Sequence, residues 1–374
     1  VIMKKIVTLF LFVVFVTTLF VSCDGNRYGE LNTGTGVFYY GGDNVNGNFY
    51  GFIKGDRYYF EKHEDYEVKR IFDHFVDGKD VYLLCGEIHG TDTCSVIRKN
   101  GKIIDKFQWR NGGILLVHNG KVRVYGKFQP NTNIYEYKPN YWENGNFYDV
   151  ELEAPTLLAM TLFAQPQKFY IKNGDVYCLG FLCTVNGNTA CVWKNNKLIA
   201  NFDPAKNSLK SAAGFFIDKN DDVIMFKDID GYYYEPTDYT YPSIAASFKN
   251  GELLHTYCDT AMMRYDKVYY RSWCGGATQV NNDIYFAVLQ FPSGGGVREN
   301  KVILYKNFQE VCRLDSYQFK GICVKNNNIY TAQRFISVAD GNCYLSIYEN
   351  DNLVNSFVVP ENMEVNIDGM FALP

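Results

Sequence analysis

The sequence predicts an all-β protein, a seven-bladed β-propeller of four-stranded antiparallel blades. A hairpin signature recurs seven times at intervals of roughly 43 to 57 residues, a spacing that suits one propeller blade. A second tight-turn signature precedes it in most repeats, and the extreme C-terminus holds a spare strand-like segment. Tyr and Phe, which favour strands, are abundant at 30 and 28 residues, and this also points to an all-β fold.

The hairpin signature is an apolar run, a Lys-Asn-Gly-like turn and a second apolar run. Asn-Gly and related pairs supply the positive φ that a tight hairpin turn needs, so each copy predicts two antiparallel strands. The seven turns lie at residues 54–56, 99–101, 143–145, 194–196, 249–251, 306–308 and 349–351.

The second turn leads into an apolar strand in six repeats. Its copies lie at residues 77–80, 119–121, 173–175, 220–222, 281–283 and 326–328. Each repeat therefore reads as strand a, tight turn, strand b, variable loop, strand c, Lys-Asn-Gly turn and strand d. In the fourth repeat these strands are predicted at 169–172, 176–181, 190–194 and 198–202.

The first repeat has only three recognisable strands, at 37–41, 48–54 and 57–61, and lacks an innermost one. The C-terminal segment 366–373 is similar to strand a of the fifth repeat, 213–217. We expect it to complete blade one and close the ring, because closure protects sheet edges that would otherwise be open. Residues 36–374 are thus predicted to form a single domain.

The N-terminus carries a targeting signal. Lys4 and Lys5 precede an apolar run from residue 6 to 21, which is shorter than the ~20 residues that span a bilayer. The run ends at Ser22-Cys23, a pattern that resembles a bacterial lipoprotein signal. This predicts a signal peptide over 1–22, a lipid on Cys23, a flexible tether over 23–35, and a location in the bacterial cell envelope, either periplasmic or surface-exposed. An ordinary secretory signal, in which Cys23 is incidental, is the alternative.

Ten cysteines follow Cys23, and export would permit disulfides. Two pairs face each other across predicted hairpins and a third brackets a long insertion. These pairs are Cys85 with Cys94, Cys183 with Cys191, and Cys258 with Cys274. Buried free thiols that act as small hydrophobic side chains are the alternative for each pair.

The long b–c loops are the predicted binding face, because binding residues concentrate in long loops on a rigid scaffold. These loops and the connection into the sixth repeat are rich in aromatic residues, which combine contact area with a polar group. The candidate ligand-binding residues are Tyr135, Tyr137, Tyr232, Tyr233, Tyr234, Tyr239, Tyr241, Arg271 and Trp273. The alternative is that their rings cap the blades and pack on each other.

No catalytic residue, metal site or cofactor is predicted. The five histidines show no zinc-like spacing, and His89 with Glu87 and Asp92 is only a weak candidate for acid–base or metal chemistry. The net charge of −4 and the lack of a basic patch argue against nucleic acid as a partner. We expect a monomer.

Together, the export cysteine and the repeated hairpins resemble propeller-type lipoproteins of the Bacteroidota. The resemblance rests on Cys23 and on Trp-Lys-Asn-Gly-like turns such as Trp142-Glu143-Asn144-Gly145 and Trp193-Lys194-Asn195-Asn196. It implies an architecture and no activity. The sequence favours a non-catalytic binding or scaffold protein whose ligand is a glycan, a peptide or an envelope protein. The alternative is a propeller enzyme acting on a carbohydrate or lactone, with carboxylates at the channel mouth.

Overall fold

A computed structural model describes most of the predicted propeller. The described residues are 37–43, 47–52, 57–59, 67–108, 113–126, 140–154, 161–184, 187–202, 212–230, 243–257, 270–292, 301–315, 318–336, 342–350, 352–359 and 365–372. Every regular element among them is a β-strand. Within these ranges there is no helix of the length and hydrophobicity that crossing a membrane requires.

The strands form seven four-stranded sheets, which we number along the chain. Sheet 1 contains β28 (Val365–Ala372), β1 (Val37–Asp43), β2 (Gly47–Phe52) and β3 (Arg57–Tyr59). Sheet 2 contains β4 (Glu67–Asp77), β5 (Asp80–His89), β6 (Asp92–Lys99) and β7 (Lys102–Phe107). Sheet 3 contains β8 (Ile114–His118), β9 (Lys121–Gly126), β10 (Asn140–Glu143) and β11 (Asn146–Asp149).

The other four sheets follow the same order. Sheet 4 contains β12 (Thr161–Lys172), β13 (Asp175–Thr184), β14 (Gly187–Lys194) and β15 (Lys197–Phe202). Sheet 5 contains β16 (Ala212–Ile217), β17 (Val223–Asp230), β18 (Ser243–Lys249) and β19 (Glu252–Thr256). Sheet 6 contains β20 (Tyr270–Val280), β21 (Asp283–Pro292), β22 (Lys301–Lys306) and β23 (Gln309–Asp315). Sheet 7 contains β24 (Gln318–Lys325), β25 (Asn328–Ile336), β26 (Cys343–Glu349) and β27 (Asn352–Val359).

Neighbouring sheets pack through apolar side chains. One buried cluster joins sheets 4 and 5 and includes Phe202, Phe215 and Met225. Similar clusters join sheet 1 to sheet 2 and sheet 7 to sheet 1, and the first strands of successive sheets contact one another. Successive four-stranded antiparallel sheets that pack face to face are the blades of a β-propeller, and the predicted all-β propeller fold is confirmed.

The C-terminal strand pairs with the first strand of the chain. β28 and β1 are antiparallel, with Phe371 opposite Phe38 and Ala372 opposite Val37. The predicted pairing of the C-terminal segment with the first repeat is therefore confirmed. β1 therefore starts at the end of sheet 1 where β28 finishes.

In five sheets the repeated asparagine stabilises the c–d turn through its backbone and its side chain. In sheet 4, Asn195 has φ 46°, its N–H donates to the Val176 carbonyl at 2.8 Å, and its Oδ1 accepts the Val176 N–H at 2.9 Å. Its Nδ2 donates to Asp175 at 2.7 Å. The equivalent bonds to the first residue of strand b recur at Asn100, Asn250, Asn307 and Asn350. The predicted turns that fall among the described residues are confirmed, whereas the turn at 54–56 lies outside them. The asparagine joins strand b to the c–d turn.

The lysine of the motif belongs to the same network. Lys194 pairs with Asp175 at 2.9 Å and lies over the Tyr177 ring at 5.4 Å. The same Lys–Asp pair is present in sheets 2, 5 and 6. The repeated residues therefore serve the architecture of the sheets.

Sheet 3 reverses the charges of this network. Lys121 occupies the aspartate position, Glu143 the lysine position and Arg123 the tyrosine position. Both cations bond to the glutamate, Lys121 at 3.1 Å and Arg123 at 2.5 Å. Sheet 3 is thus the repeat that departs most in charge from the others.

The outer strand of sheet 3, like that of sheet 1, lacks a bulge that the other five sheets share. In sheets 2, 4, 5, 6 and 7 the outermost pair contains a register shift three residues after the turn, which is a β-bulge. Bulges twist an edge away from pairing with another strand. The four-residue strand β11 pairs with β10 in continuous register and has no such bulge. Its Phe147 and Tyr148 are 47% and 45% exposed.

Candidate ligand-binding cleft

A cleft of about 770 Å³ opens between sheets 3 and 4. This volume falls within the roughly 300–1,000 Å³ that is typical of small-molecule sites. The walls come from β8–β11 on one side, from β12 and β13 on the other, and from the connection at residues 150–152. The lining combines aromatic rings with His118, Arg123, Asp149 and Glu151.

Four aromatic rings form a continuous row along the cleft. Tyr148 stacks on Tyr141 with ring centroids 5.4 Å apart, and Tyr141 stacks on Tyr125 at 5.0 Å. Tyr125 contacts Phe169 of sheet 4 at 4.4 Å. Burial of Tyr125 raises the pKa of its hydroxyl to about 12, whereas Tyr148 at the other end is exposed. The row thus runs from the interface of two sheets to the solvent.

A charged group lies beside the row. The guanidinium of Arg123 lies over the Tyr141 ring, 5.3 Å from its centroid, and bonds to Glu143. Burial alone would raise the pKa of Glu143, but the bonds from Arg123 and Lys121 outweigh it and lower the pKa. Glu143 is therefore an anion that holds Arg123 against the ring at neutral pH, and it is unsuited to act as a proton donor.

The connection from sheet 3 fixes the relative position of the two walls. The Glu153 carbonyl accepts from Trp193 Nε1 at 2.8 Å, and its carboxylate accepts the Leu198 N–H at 2.8 Å. The Glu153 N–H donates to the Asn196 carbonyl at 2.9 Å. These bonds attach residues 150–153 to the c–d turn of sheet 4. Hydrogen bonds therefore hold the two walls of the cleft together.

A second group of polar side chains lies on the inner strands. Asp73 of β4 accepts N–H bonds from Leu115 at 2.7 Å and from His74 at 2.9 Å. Burial raises the pKa of Asp73 to about 6, against the effect of these bonds. Burial lowers the pKa of His74 to about 4, and this ring stacks on Phe371 at 4.2 Å. His74 is therefore neutral at neutral pH and serves as a packing group between sheets 1 and 2.

The structure places few of the predicted binding residues. Tyr135, Tyr137, Tyr232, Tyr233, Tyr234, Tyr239 and Tyr241 lie outside the described residues, as does Cys23. Arg271 and Trp273 were expected in the connection into the sixth repeat, but they lie in β20, opposite Phe291 and Leu289. Their side chains are not among those described. Ligand binding at the b–c face therefore stays a prediction.

The cleft residues were not predicted from the sequence. Tyr125, Tyr141, Tyr148 and Phe169 come from four strands, and none lies in a long loop. Their one sequence signal is the departure of sheet 3 from the repeat, where Arg123 and Glu143 replace the usual tyrosine and lysine.

The expected disulfide between Cys85 and Cys94 is wrong, since both are buried free thiols. Cys85 lies opposite Val96, whereas Cys94 lies opposite Glu87, so the two are offset by two residues in the hairpin. Burial raises the pKa of the Cys85 thiol to about 12, which makes it unreactive at neutral pH.

The other two expected disulfides have no support in the described residues. Cys191 is a free thiol that lies opposite Gly180, three residues from Cys183 along the strand. Cys274 is also a free thiol, and Cys258 lies outside the described residues.

His89, the last residue of β5, contacts the buried carboxylate of Glu87. Its Nε2 lies 2.9 Å from Glu87 Oε2. Arg98 holds the same carboxylate through two bonds of 2.7 and 3.1 Å. Among the described residues, no cluster of three or more His, Cys, Asp or Glu side chains has the arrangement of a metal site.

Comparisons with known proteins add little about function. No family model matches the chain, and no curated relative matches it either. The periplasmic gluconolactonase of Pseudomonas aeruginosa is 9% identical, with 90% of this chain and 100% of that one covered and a TM-score of 0.46. The β-propeller domain of the Trilobed protease of Pyrococcus furiosus is 12% identical over 78% and 85%, with a TM-score of 0.45. An ulvan lyase of polysaccharide lyase family PL25 is 11% identical over 79% and 85%, with a TM-score of 0.42. At this level of likeness, nothing about activity transfers to this chain.

Proposed function

We propose that the chain is an exported, lipid-anchored binding protein of the bacterial cell envelope, and that the cleft between sheets 3 and 4 binds a glycan without catalysis. The seven sheets would be the blades of one ring that β28 closes. In support, the first strand of each sheet contacts the first strand of the next sheet. This holds from sheet 1 to sheet 7, and β24 of sheet 7 contacts β28 of sheet 1. The proposal includes membership of the Bacteroidota lipoprotein group that the sequence resembles.

The row of rings from Tyr148 to Phe169 is the observation that carries this proposal. Sugars present apolar C–H faces that pack on aromatic rings, and hydroxyls that bond to charged and amide groups. The cleft offers the exposed ring of Tyr148 together with Asp149 and Glu151. It therefore has the mixed chemistry that a sugar of a few units requires.

The test is a glycan array probed with residues 24–374, followed by titration calorimetry on any glycan that binds. Tyr148→Ala should weaken binding at least tenfold, because an exposed stacking ring in a site contributes on the order of 1.4 kcal/mol. Ile104→Ala is the matched control. Ile104 occupies the equivalent position in sheet 2 and is 46% exposed, whereas Tyr148 is 45% exposed.

A variant of the other face decides between the two candidate sites. Replacing Tyr232, Tyr233 and Tyr234 together by Ala should leave glycan binding unchanged if the cleft is the site. Loss of binding in this triple variant, with normal binding by Tyr148→Ala, would place the site on the b–c face. A blank array would refute glycan binding and leave a peptide or an envelope protein as the ligand.

The lipid anchor is tested separately. Expression of the full chain in a bacterial host with a labelled fatty acid should label the wild-type protein and leave Cys23→Ala unlabelled. Absence of label in the wild type would favour the ordinary secretory signal.

The alternative function, an enzyme acting on a carbohydrate or lactone, needs convergent carboxylates at the propeller axis. Among the described side chains, Asp73 of the inner strand β4 is a candidate for such a carboxylate, and it accepts two backbone N–H bonds. A bound glycan or lactone that is hydrolysed by the wild type and not by Asp73→Asn would establish this alternative.

A further inference from the structure

Lys168 lies between the inner strands of three different sheets. It belongs to β12 of sheet 4, and its Nζ is 6.0 Å from the centroid of the Phe216 ring in sheet 5. Its charge also acts on Asp73 and His74 of sheet 2. Only a group on the axis side of the inner strands can approach sheets 2, 4 and 5 together. Protein atoms surround Lys168 there, but solvent still reaches its side chain.

The ammonium of Lys168 has no close anionic partner in the part of the chain that the structure describes. It forms no ion pair within 4.0 Å, whereas the turn lysines Lys99 and Lys194 pair with aspartates at 2.7 and 2.9 Å. Asp73 is near enough to raise the pKa of Lys168, but burial has the larger effect and lowers it. A cation enclosed by protein atoms without a counter-ion attracts an anion from solution.

The groups next to Lys168 indicate which class of anion would fit beside it. His74 is bonded to the Tyr40 hydroxyl at 3.1 Å and stacked on Phe371, so its ring is already engaged. One ammonium beside an aromatic ring suits a singly charged group attached to a carbon skeleton. Phosphate sites usually combine several donors or the N-terminus of a helix, and the described strands place neither beside Lys168.

We propose that Lys168 is the cation of a second binding site, on the propeller axis, that takes the carboxylate of a small organic acid. The carboxylate pairs with Nζ, and the carbon skeleton packs against Phe216. This site is independent of the cleft between sheets 3 and 4, and the proposal holds whether or not the cleft binds a glycan.

The test is a thermal unfolding experiment with sodium acetate as the probe, at pH 7 and constant ionic strength set with sodium chloride. Binding to the folded state raises the melting temperature, by about 2–3 °C when acetate is at 20 times its Kd. We expect this increment in the wild type and in Lys168→Arg, which keeps the charge, and its loss in Lys168→Met. Lys102→Met is the control, because it removes an exposed lysine at the start of β7 in sheet 2.

Only the increment caused by acetate is compared, so a change in the basal stability of a variant does not affect the result. An equal increment in Lys168→Met and in the wild type would overturn the proposal, as would a wild type that responds to acetate no more than to chloride. Sodium phosphate is the third arm. A larger, Lys168-dependent increment with phosphate would overturn the assignment to a carboxylate.

Discussion

Removal of the Arg98 guanidinium tests how sheet 2 holds a buried charge. Glu87 has no exposed side-chain surface, and Arg98 is 9% exposed. Arg98 also donates to the Gly101 carbonyl at 3.0 Å, so it links the carboxylate to the c–d turn. Arg98→Met leaves Glu87 buried with His89 as its remaining side-chain partner in the ion pair. Breaking a buried pair from one side costs about 3–5 kcal/mol, and we expect a loss of that size.

The double variant separates the loss of attraction from the burial of a lone charge. Glu87→Met with Arg98→Met removes both charges at similar volume, and we expect less than half of the single-variant loss. The control is Arg313→Met in the pair with Glu310, which has the same two-bond geometry at 2.5 and 2.8 Å but side chains that are 60% and 38% exposed. This exposed pair should contribute less than about 1 kcal/mol.

Urea unfolding followed by tryptophan fluorescence and circular dichroism gives the free energy of unfolding, provided that the two signals coincide. A loss below 1 kcal/mol in Arg98→Met would show that water or His89 compensates Glu87. A double variant as unstable as the sum of the single variants would show that the two side chains act independently. Either result would refute the reasoning.

Three further predictions concern the turns and the inner strands. Gly251→Ala should destabilise the fold by more than Gly145→Ala in urea unfolding. Both glycines have φ above +80°, but a Cβ at Gly251 would lie 2.5 Å from a backbone oxygen of sheet 4, while at Gly145 nothing lies within 4 Å. Asn195→Ala should lower the free energy of unfolding by about 1–3 kcal/mol, and Asn195→Gly by less, since glycine keeps the left-handed turn and loses only the side-chain bonds; equal losses would contradict this. Asp73→Asn should remove a pH dependence. Protonated Asp73 stabilises the fold at low pH, and this stabilisation is lost as the pH rises through about 6. The difference in urea midpoint, wild type minus Asp73→Asn, should therefore decrease as the pH is raised from 4 to 7. A difference that stays constant over this range would refute the pKa assignment. His74, with a pKa of about 4, has the opposite slope but is present in both proteins.

The elements that could be predicted are those that local chemistry determines. A residue with positive φ followed by an apolar run specifies a turn and a strand wherever it occurs, and Asn100, Asn195 and Asn250 do so in three sheets. The pairing of β28 with β1 could be predicted because the first repeat lacked a strand and the C-terminus supplied one. These inferences needed no knowledge of how one sheet lies against the next.

Register and packing between sheets could not be predicted from spacing. Cys85 and Cys94 belong to the same hairpin, but the loop length places Cys94 opposite Glu87 instead. In the cleft, Tyr125 meets Phe169 only because sheets 3 and 4 pack there, and the two residues are 44 apart in the sequence. A rule that places binding residues in long loops excludes such a site, since all four rings belong to strands.

Residues that depart from the repeat are better candidates for a functional role than residues that follow it. The Lys, Asn and Asp of the repeated turns are engaged with one another, and this explains their recurrence without any ligand. In sheet 3 the charges are reversed, and an arginine stands in place of the usual tyrosine beside the cleft. There the outer strand also loses its bulge and exposes Phe147 and Tyr148. Neither change is needed to build a blade, because five other sheets have the bulge and four have the Lys–Asp pair. Restoring the repeat in sheet 3, by Lys121→Asp with Glu143→Lys, should therefore preserve the fold and release Arg123 from its place over Tyr141. A fold that survives this exchange while glycan binding is lost would assign the departures of sheet 3 to the ligand. A fold that collapses would assign them to the packing of sheet 3 against sheet 4.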